Sequence, residues 1–150
     1  MLDALSEKIL AAQNECTISW ITQDGSPAAT VVSFLYADEC LWMTALAGSP
    51  RIRAISRDNR IAVTVSGKGS KAGDTRCVSM RGYCDILSDA ATRDWFFPKF
   101  SKRVLHKSRM GASMMSKSMN SPENLVLKFH IEKVIPYDAQ RMMKMANFMP

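Results

Sequence analysis

The sequence predicts a mainly β domain in which six antiparallel strands close into a small barrel, with a few helices beside it. Three observations support this prediction. Segments of alternating apolar and polar residues recur along the chain, which is typical of strands with one buried face. Connections between the early segments are too short for parallel crossovers. The length of 150 residues suits one domain, and closure of the sheet would remove exposed edges.

The first third of the chain shows a helical period followed by three alternating segments. Asp24-Gly25-Ser26-Pro27 and Asp38-Glu39 separate these segments and have turn composition. Because both turns are short, neighbouring strands should pair antiparallel as a meander. The predicted elements, in order, are a helix from Leu2 to about Asn14 and strands over 16–22, 29–36 and 41–44.

A second helix is predicted soon after the third strand. Ser49 is a candidate N-cap, Pro50 suits the first helical position, and the helix should end near Arg57. Glycine and polar residues then separate two further β-rich segments. The predicted elements here are a strand over 61–65, a flexible connection over 67–74 and a long strand over 76–87.

The last third of the chain is less regular. Asp89 is positioned to cap a third helix, which Pro98 should interrupt. The stretch that follows shows no clear period. A sixth strand is predicted over 125–131, with Pro136 as its end and a methionine-rich tail after it.

The net charge of +6 lies wholly between residues 95 and 122. This segment is a candidate lid over an anionic ligand or a nucleic-acid-binding arm. Nucleic acid is the less favoured partner, because such an arm usually needs structural support that the sequence does not show, and a solvated connection whose methionines fill gaps or a subunit contact is the simpler interpretation. The segment has no acidic residue, and its cations are Lys99, Lys102, Arg103, Lys107, Arg109 and Lys117.

The compartment is expected to be the cytoplasm. The start of the chain lacks the features of a secretory leader, and no run approaches the roughly 20 apolar residues of a membrane span. The four cysteines are scattered, without a C-x-x-C pair, so we expect reduced thiols and no zinc site. His106 and His130 belong to no recognisable catalytic motif, and we interpret them as surface or packing residues.

Ser49-Pro50-Arg51 is a candidate phosphate site. A helix start offers backbone N–H groups and the positive end of the helix dipole. The serine adds a hydroxyl, and the Arg51 guanidinium can donate two parallel hydrogen bonds to a phosphate. Serine caps beside surface arginines are also common without a ligand, so the spacing alone leaves both interpretations open.

Several segments in order resemble the flavin-binding core of the pyridoxamine 5′-phosphate oxidase-like split-barrel family. The similarity covers about residues 4–138. It includes a strand, a serine-and-arginine helix start, an arginine before the next strand and a later strand with an R-x-V pattern. The segments that carry it are Leu41-Trp42-Met43-Thr44, Ser49-Pro50-Arg51, Asp58-Asn59-Arg60-Ile61-Ala62-Val63, Arg76-Cys77-Val78-Ser79-Met80-Arg81-Gly82, and 127–134 with Tyr137-Asp138.

The resemblance implies a homodimer of six-stranded split barrels with two FMN molecules at the subunit interface. It assigns the FMN phosphate to Ser49 and Arg51, with Thr44 and Arg76 nearby. It also implies that one strand runs along the isoalloxazine ring and offers backbone groups to its polar edge, while Met43 packs close by. The ring-side residues of that strand are Thr30, Val31, Val32 and Ser33.

The substrate is not fixed by this resemblance. The true oxidase has an arginine where Ala28 or Ala29 stands, a glutamine where Cys77 stands, and a C-terminal tryptophan and Arg-Leu-His element that this chain lacks. We therefore expect an FMN-dependent oxidoreductase acting on some small molecule by hydride transfer. Two alternatives remain: a flavin, deazaflavin or haem carrier or sensor of the same fold, and a basic nucleic-acid-binding protein.

Overall fold

Seven strands and five helices make up the computed structural model, which describes residues 2–146. The elements follow the sequence predictions closely as far as the end of the long strand, and depart from them afterwards. In chain order they are α1 (Ala4–Ala12), β1 (Glu15–Ile21), β2 (Pro27–Ser33), β3 (Leu35–Ala37), β4 (Cys40–Leu46), α2 (Pro50–Arg57), β5 (Arg60–Ser66), β6 (Arg76–Leu87), α3 (Ala90–Val104), α4 (Arg109–Met119), β7 (Asn124–Asp138) and α5 (Ala139–Met145).

All strand pairs are antiparallel, in the order β2-β1-β5-β6-β7-β4-β3. The two edge strands, β2 and β3, are separated in the chain by Phe34 alone, so the sheet curls round into a barrel whose edge strands are joined by the chain but do not pair with each other. Phe34 is fully buried, and its N–H donates to the Asn14 carbonyl at 2.9 Å. The predicted strand over 29–36 is therefore one bent strand. Its first part pairs with β1 and its second with β4, which turns six predicted strands into seven.

The barrel interior is filled by alternate residues of the strands, and two helices close its ends. α1 packs against β5 and β6, whereas α2 packs against β1, β4 and β6. This arrangement gives the barrel two chemically different ends. Side chains in the interior include Ile18, Leu41, Met43, Val63, Val65, Val78, Met80, Leu127 and Phe129.

The prediction that Pro98 interrupts the third helix is wrong. α3 runs through it from Ala90 to Val104, with Asp89 as the N-cap. Pro98 is exposed, whereas Phe96, Phe97 and Phe100 are buried against the outside of the barrel. Burying each phenylalanine contributes about 1.5–3 kcal/mol, which together exceeds the cost of about 3 kcal/mol for a proline inside a helix.

The stretch without clear period contains a fourth helix. The Ser108 hydroxyl caps α4 by accepting from the Gly111 N–H at 3.0 Å. Met115 and Met119 pack against an apolar cluster between α3 and the outside of the barrel. The buried members of this cluster are Cys40, Trp42, Phe96, Phe97, Phe100 and Val126. The helix is rich in serine and carries one glycine, so its stability comes from this packing, and its local sequence gave little sign of it.

Pro136 does not end the last strand, contrary to prediction. β7 extends from Asn124 to Asp138, and Pro136 lies opposite Val78 of β6. β4 pairs with β7 only as far as His130. Beyond that point the described part of β7 has a single neighbour, and an edge position tolerates a residue without a backbone N–H.

Candidate functional site

The barrel is open between β2 and the second half of β4. Among the described residues, β2 pairs with β1 alone, and β3 pairs with β4 only over Cys40–Trp42. The backbone edges of residues 27–33 and 43–46 therefore lie on the two sides of one gap, which begins where the chain bends at Phe34. Unpaired backbone groups along such a gap are available to a ligand with a polar edge. α2 begins at the end of β4, next to this opening.

The start of α2 offers less to an anion than the sequence suggested. The Ser49 hydroxyl accepts from the Ile52 N–H at 3.3 Å, and the Ser49 carbonyl accepts from the Arg53 N–H at 3.3 Å. Pro50 has no N–H to give. The Arg51 amide is thus the one free donor of the first turn, and binding of an anion here depends mainly on side chains.

Arg51 is the distinctive side chain of this end of the barrel. It is half-buried, its Nη2 donates to the Thr44 carbonyl at 3.3 Å, and its guanidinium carbon lies 5.9 Å from the centroid of the Trp20 ring. Arg51 Nε is buried and has no hydrogen-bond partner in the described chain. Within residues 2–146 no carboxylate lies within ion-pair distance of the guanidinium.

This environment suits a bound phosphate. Burial lowers the pKa of Arg51 below its usual range, because the charged form loses hydration without gaining a carboxylate. An anion that accepts from Nε and Nη2 would offset that cost and satisfy the orphaned donor. Arg51 therefore fits a phosphate group, with the Ser49 hydroxyl beside it. Trp20, which sequence reasoning did not single out, supports the guanidinium through a cation–π contact.

Thr44 lies beside Arg51, whereas the Met43 side chain lies inside the barrel. The Thr44 hydroxyl donates to the Leu125 carbonyl at 2.9 Å, which leaves its lone pairs available. Met43 is fully buried inside the barrel, with its sulfur 3.8 Å from the Cys16 sulfur. Met43 therefore supports the wall of the gap from within and presents no side chain to a ligand in it.

The proposed ring-side residues lie along β2, on the other side of the gap. Their side chains alternate: Val31 is 62% exposed, whereas Thr30 and Val32 are partly buried on the barrel side. Ser33 is the last residue of the strand before the bend. The backbone of all four residues borders the gap.

Arg76 is not brought together with Ser49 and Arg51 within one subunit. It begins β6, whereas Leu87 at the other end of β6 pairs with Val126, the neighbour of Thr44. Arg76 and Leu87 are eleven residue steps apart, roughly 35 Å along the strand. Arg76 instead donates to Asp138 Oδ2 at 3.1 Å and to the Ala72 carbonyl at 3.0 Å.

A shallow groove of about 520 Å³ crosses the outer face of β1, β5, β6 and β7. Its outward-facing side chains include Ser19, Ala62 and Arg81, and helices leave this face uncovered. Val31, Ile135 and Tyr137 are exposed on the neighbouring strands. Among the described residues, no helix is long and apolar enough to cross a membrane, and no cluster of three His, Cys, Asp or Glu side chains is suited to a metal ion.

The chain matches the family model described as pyridoxamine 5′-phosphate oxidase over residues 2–138. No curated protein sequence matches it. A conserved hypothetical protein, Rv2991 from Mycobacterium tuberculosis, has a similar structure, with a TM-score of 0.79, 18% identity, and coverage of 100% of this chain and 89% of the other.

Two other solved structures extend this comparison. An F420 reductase gives a TM-score of 0.69 at 16% identity, covering 90% of this chain and 98% of its own. A FAD-binding protein from Mesorhizobium loti, mll6688, gives 0.65 at 22% identity, covering 90% and 94%. Identities this low establish the fold, whereas the family model spans nearly the whole chain. The chain therefore belongs to the pyridoxamine 5′-phosphate oxidase family of split-barrel proteins.

Proposed function

We propose that this protein is a homodimeric FMN-binding oxidoreductase that acts on a small molecule. The observation that carries the proposal is Arg51, a half-buried guanidinium with an orphaned Nε and no carboxylate partner in the described chain. A fold that leaves such a cation unsatisfied at the mouth of a gap is suited to an anionic ligand. Proteins of the same fold include an F420 reductase and a FAD-binding protein, and this supports the phosphate of a flavin, FMN, as the anion.

In this proposal the chain supplies binding and orientation. Ser49 and Arg51 hold the phosphate, with Thr44 beside them, and the free backbone edge of Thr30–Ser33 meets the polar edge of the ring. FMN supplies hydride transfer when it is bound. Because Arg76 lies at the other end of the barrel, this assignment does not include it within a single subunit.

The shape of the gap supports the homodimer in this proposal. One subunit offers a gap with an open side and an uncovered face of the sheet, on which Val31, Ile135 and Tyr137 are exposed. A second copy placed against this face would bury these side chains and enclose a ligand as large as FMN. The dimer is part of the proposal and is tested by sedimentation analysis of the FMN-loaded protein.

Titration with FMN tests the binding site directly. Arg51→Ala should weaken FMN binding on the order of 10- to 100-fold, because a charge-assisted hydrogen bond contributes about 1.5–3 kcal/mol. Arg53→Ala is the matched control, since Arg53 carries the same charge two residues later but is exposed and donates to the Gly48 carbonyl. Protein that takes up no flavin, or equal losses in both variants, would contradict the assignment.

Anaerobic mixing of the FMN-loaded protein with NADH or NADPH separates an enzyme from a carrier. Bleaching of the flavin absorption is the expected result for an oxidoreductase. Stable flavin absorption with both donors would favour the carrier, and preferential uptake of haem over FMN would replace the cofactor assignment altogether.

A further inference from the structure

A second group of reactive side chains lies on the outer face of the barrel, away from the gap. Three neighbouring strands contribute one residue each: Cys40 from β4, His130 from β7 and Asp85 from β6. Cys40 and His130 lie directly opposite each other in the β4–β7 register, so their side chains share a face. Asp85 is diagonal to His130 across the β6–β7 pair. The flavin site uses none of these residues.

The imidazole of His130 bridges the other two side chains. Its Nε2 lies 2.8 Å from Asp85 Oδ2, and its Nδ1 lies 3.8 Å from the Cys40 sulfur. The Tyr83 ring stacks on the imidazole at 4.5 Å between centroids and 12° between planes. Since a carboxylate only accepts, the contact with Asp85 places the proton on Nε2 and leaves Nδ1 as an acceptor for the thiol.

Cys40 rests as a neutral thiol. Burial raises its pKa; Lys128 opposes this shift, and the carboxylates of Asp38, Glu39 and Asp85 add to it. A thiol in this state is a weak nucleophile unless a base removes its proton during the reaction. His130 is placed for that role, with Asp85 to orient it and to stabilise the imidazolium that forms.

The other three cysteines show that this arrangement is particular to Cys40. Cys16 and Cys84 lie in the barrel interior, where burial raises the pKa of each to about 12. Their sulfurs contact the Met43 sulfur and the Asp85 carbonyl, neither of which is a base for a thiol. Cys77 is partly exposed, and within residues 2–146 no side chain forms a hydrogen bond with its sulfur.

We propose that Cys40 is a peroxide-reactive thiol activated by His130 and Asp85. The Cys40 proton passes to His130 Nδ1 as the sulfur attacks the terminal oxygen of a hydroperoxide. The oxygen–oxygen bond breaks, and the leaving oxygen takes the proton from Nδ1. With hydrogen peroxide, the products are a sulfenic acid on Cys40 and water, so the sulfur loses two electrons and the peroxide gains them.

The size of the oxidant follows from exposure. Cys40 is only 7% exposed, whereas His130 and Asp85 are more open to solvent, so we expect the oxidant to approach the sulfur from the side of the imidazole. This geometry favours hydrogen peroxide over bulky thiol reagents. The site is independent of the proposed flavin function, and it would remain if the chain bound no flavin.

The test exposes the intact protein to hydrogen peroxide and follows oxygen addition to each cysteine-containing peptide by mass spectrometry. Cys40 should oxidise faster than Cys77 although it is less exposed, and Cys16 and Cys84 should react slowest. His130→Asn should slow Cys40 oxidation on the order of 100-fold, the lower end of typical general-base contributions. His106→Asn is the matched control and should leave the rate unchanged.

Asp85→Asn provides a second variant that does not disturb a buried side chain. It should slow Cys40 oxidation less than His130→Asn does and alter its dependence on pH, and Asp85→Glu should restore part of the rate. The proposal is overturned if Cys77 oxidises as fast as Cys40 in the wild-type protein. It is equally overturned if His130→Asn and Asp85→Asn both stay folded and leave the Cys40 rate unchanged.

Discussion

The arginines at the two ends of the barrel differ in whether the protein provides partners for them. At the end closed by α1, Arg76 pairs with Asp138, and Arg103 reaches from α3 to cap the last turn of α1. At the end closed by α2, Arg51 is half-buried with an unsatisfied Nε and no carboxylate partner among the described residues. We call the α1 end the completed end, because its arginines have partners within the protein, and the α2 end the open end, where our proposal places a ligand phosphate beside Arg51. The difference locates the site better than net charge does.

Net charge points to a different region altogether. The excess of +6 lies in residues 95–122, and the structure folds this segment into α3 and α4 against the outside of the barrel. Arg103 in this segment serves structure, since its Nη2 donates to the carbonyls of Leu10, Ala11 and Gln13. An excess of cations is therefore a weaker sign of an anion site than one cation without internal partners.

The largest expected effect is at the completed end. Arg103→Ala removes the charged donor shared by three carbonyls at the end of α1 and should lower the free energy of unfolding by about 2–3 kcal/mol. Urea denaturation measures this change. Lys102→Ala, an exposed neighbour of the same charge, should have little effect. A stable Arg103→Ala protein would mean that α1 does not need this cap.

The next effect is at the open end and requires FMN. At a concentration 100 times its dissociation constant, a ligand raises the free energy of unfolding by about 2.7 kcal/mol. With Arg51→Ala and binding 10- to 100-fold weaker, the same FMN concentration should give only about 0.4–1.4 kcal/mol. Thermal or urea unfolding with and without FMN measures the gain. Equal gains in both proteins would place the phosphate elsewhere.

A smaller effect is expected for the same substitution without ligand. Arg51→Ala should leave the free energy of unfolding within about 0.5 kcal/mol of wild type, because it removes a cation whose burial is not offset by a carboxylate. Urea denaturation of the ligand-free proteins, run beside Arg103→Ala, gives the contrast directly. A large loss for Arg51→Ala would show that both ends are built for stability.

The smallest effect concerns the acidic partner at the completed end. The Arg141 amide, and then the Arg76 guanidinium, hold the pKa of Asp138 below its usual value. Its stabilising contribution is therefore present above the unfolded value of about 3.9 and lost as pH falls through the folded value. Asp138→Asn keeps a capping side chain and should reduce this acid sensitivity. Urea midpoints between roughly pH 5 and pH 2 test it.

The start of α2 was predictable because its signals are local. Ser49 and Pro50 mark a helix start whatever surrounds them, and the structure caps α2 with Ser49. The continuation of α3 through Pro98 was not predictable in the same way, because it depends on the burial of three neighbouring phenylalanines against strands that are distant in the sequence. Helix-capping signals can be recognised in a sequence, whereas tertiary packing that overrides a local helix breaker cannot.

The candidate site shows the same limit. Ser49, Arg51 and Thr44 are close in sequence, and the structure keeps them together. The position of Arg76 depends on which end of a long strand it occupies, and a resemblance between segments does not show this. The Cys40, His130 and Asp85 group was missed because its members lie 45 and 90 residues apart along the chain and meet only through strand register.

The bend at Phe34 is also the covalent link between the two edge strands of the sheet. The strand pairs by themselves form one open sheet with β2 at one edge and β3 at the other. The link at Phe34 brings these two edge strands side by side. A cut at Phe34 would keep the same strand pairings but release β2 from β3, so that the two edges of the gap could move apart. Unpaired strand edges can pair with other chains, so this one peptide link limits how far the two edges of the gap are exposed as well as shaping the gap.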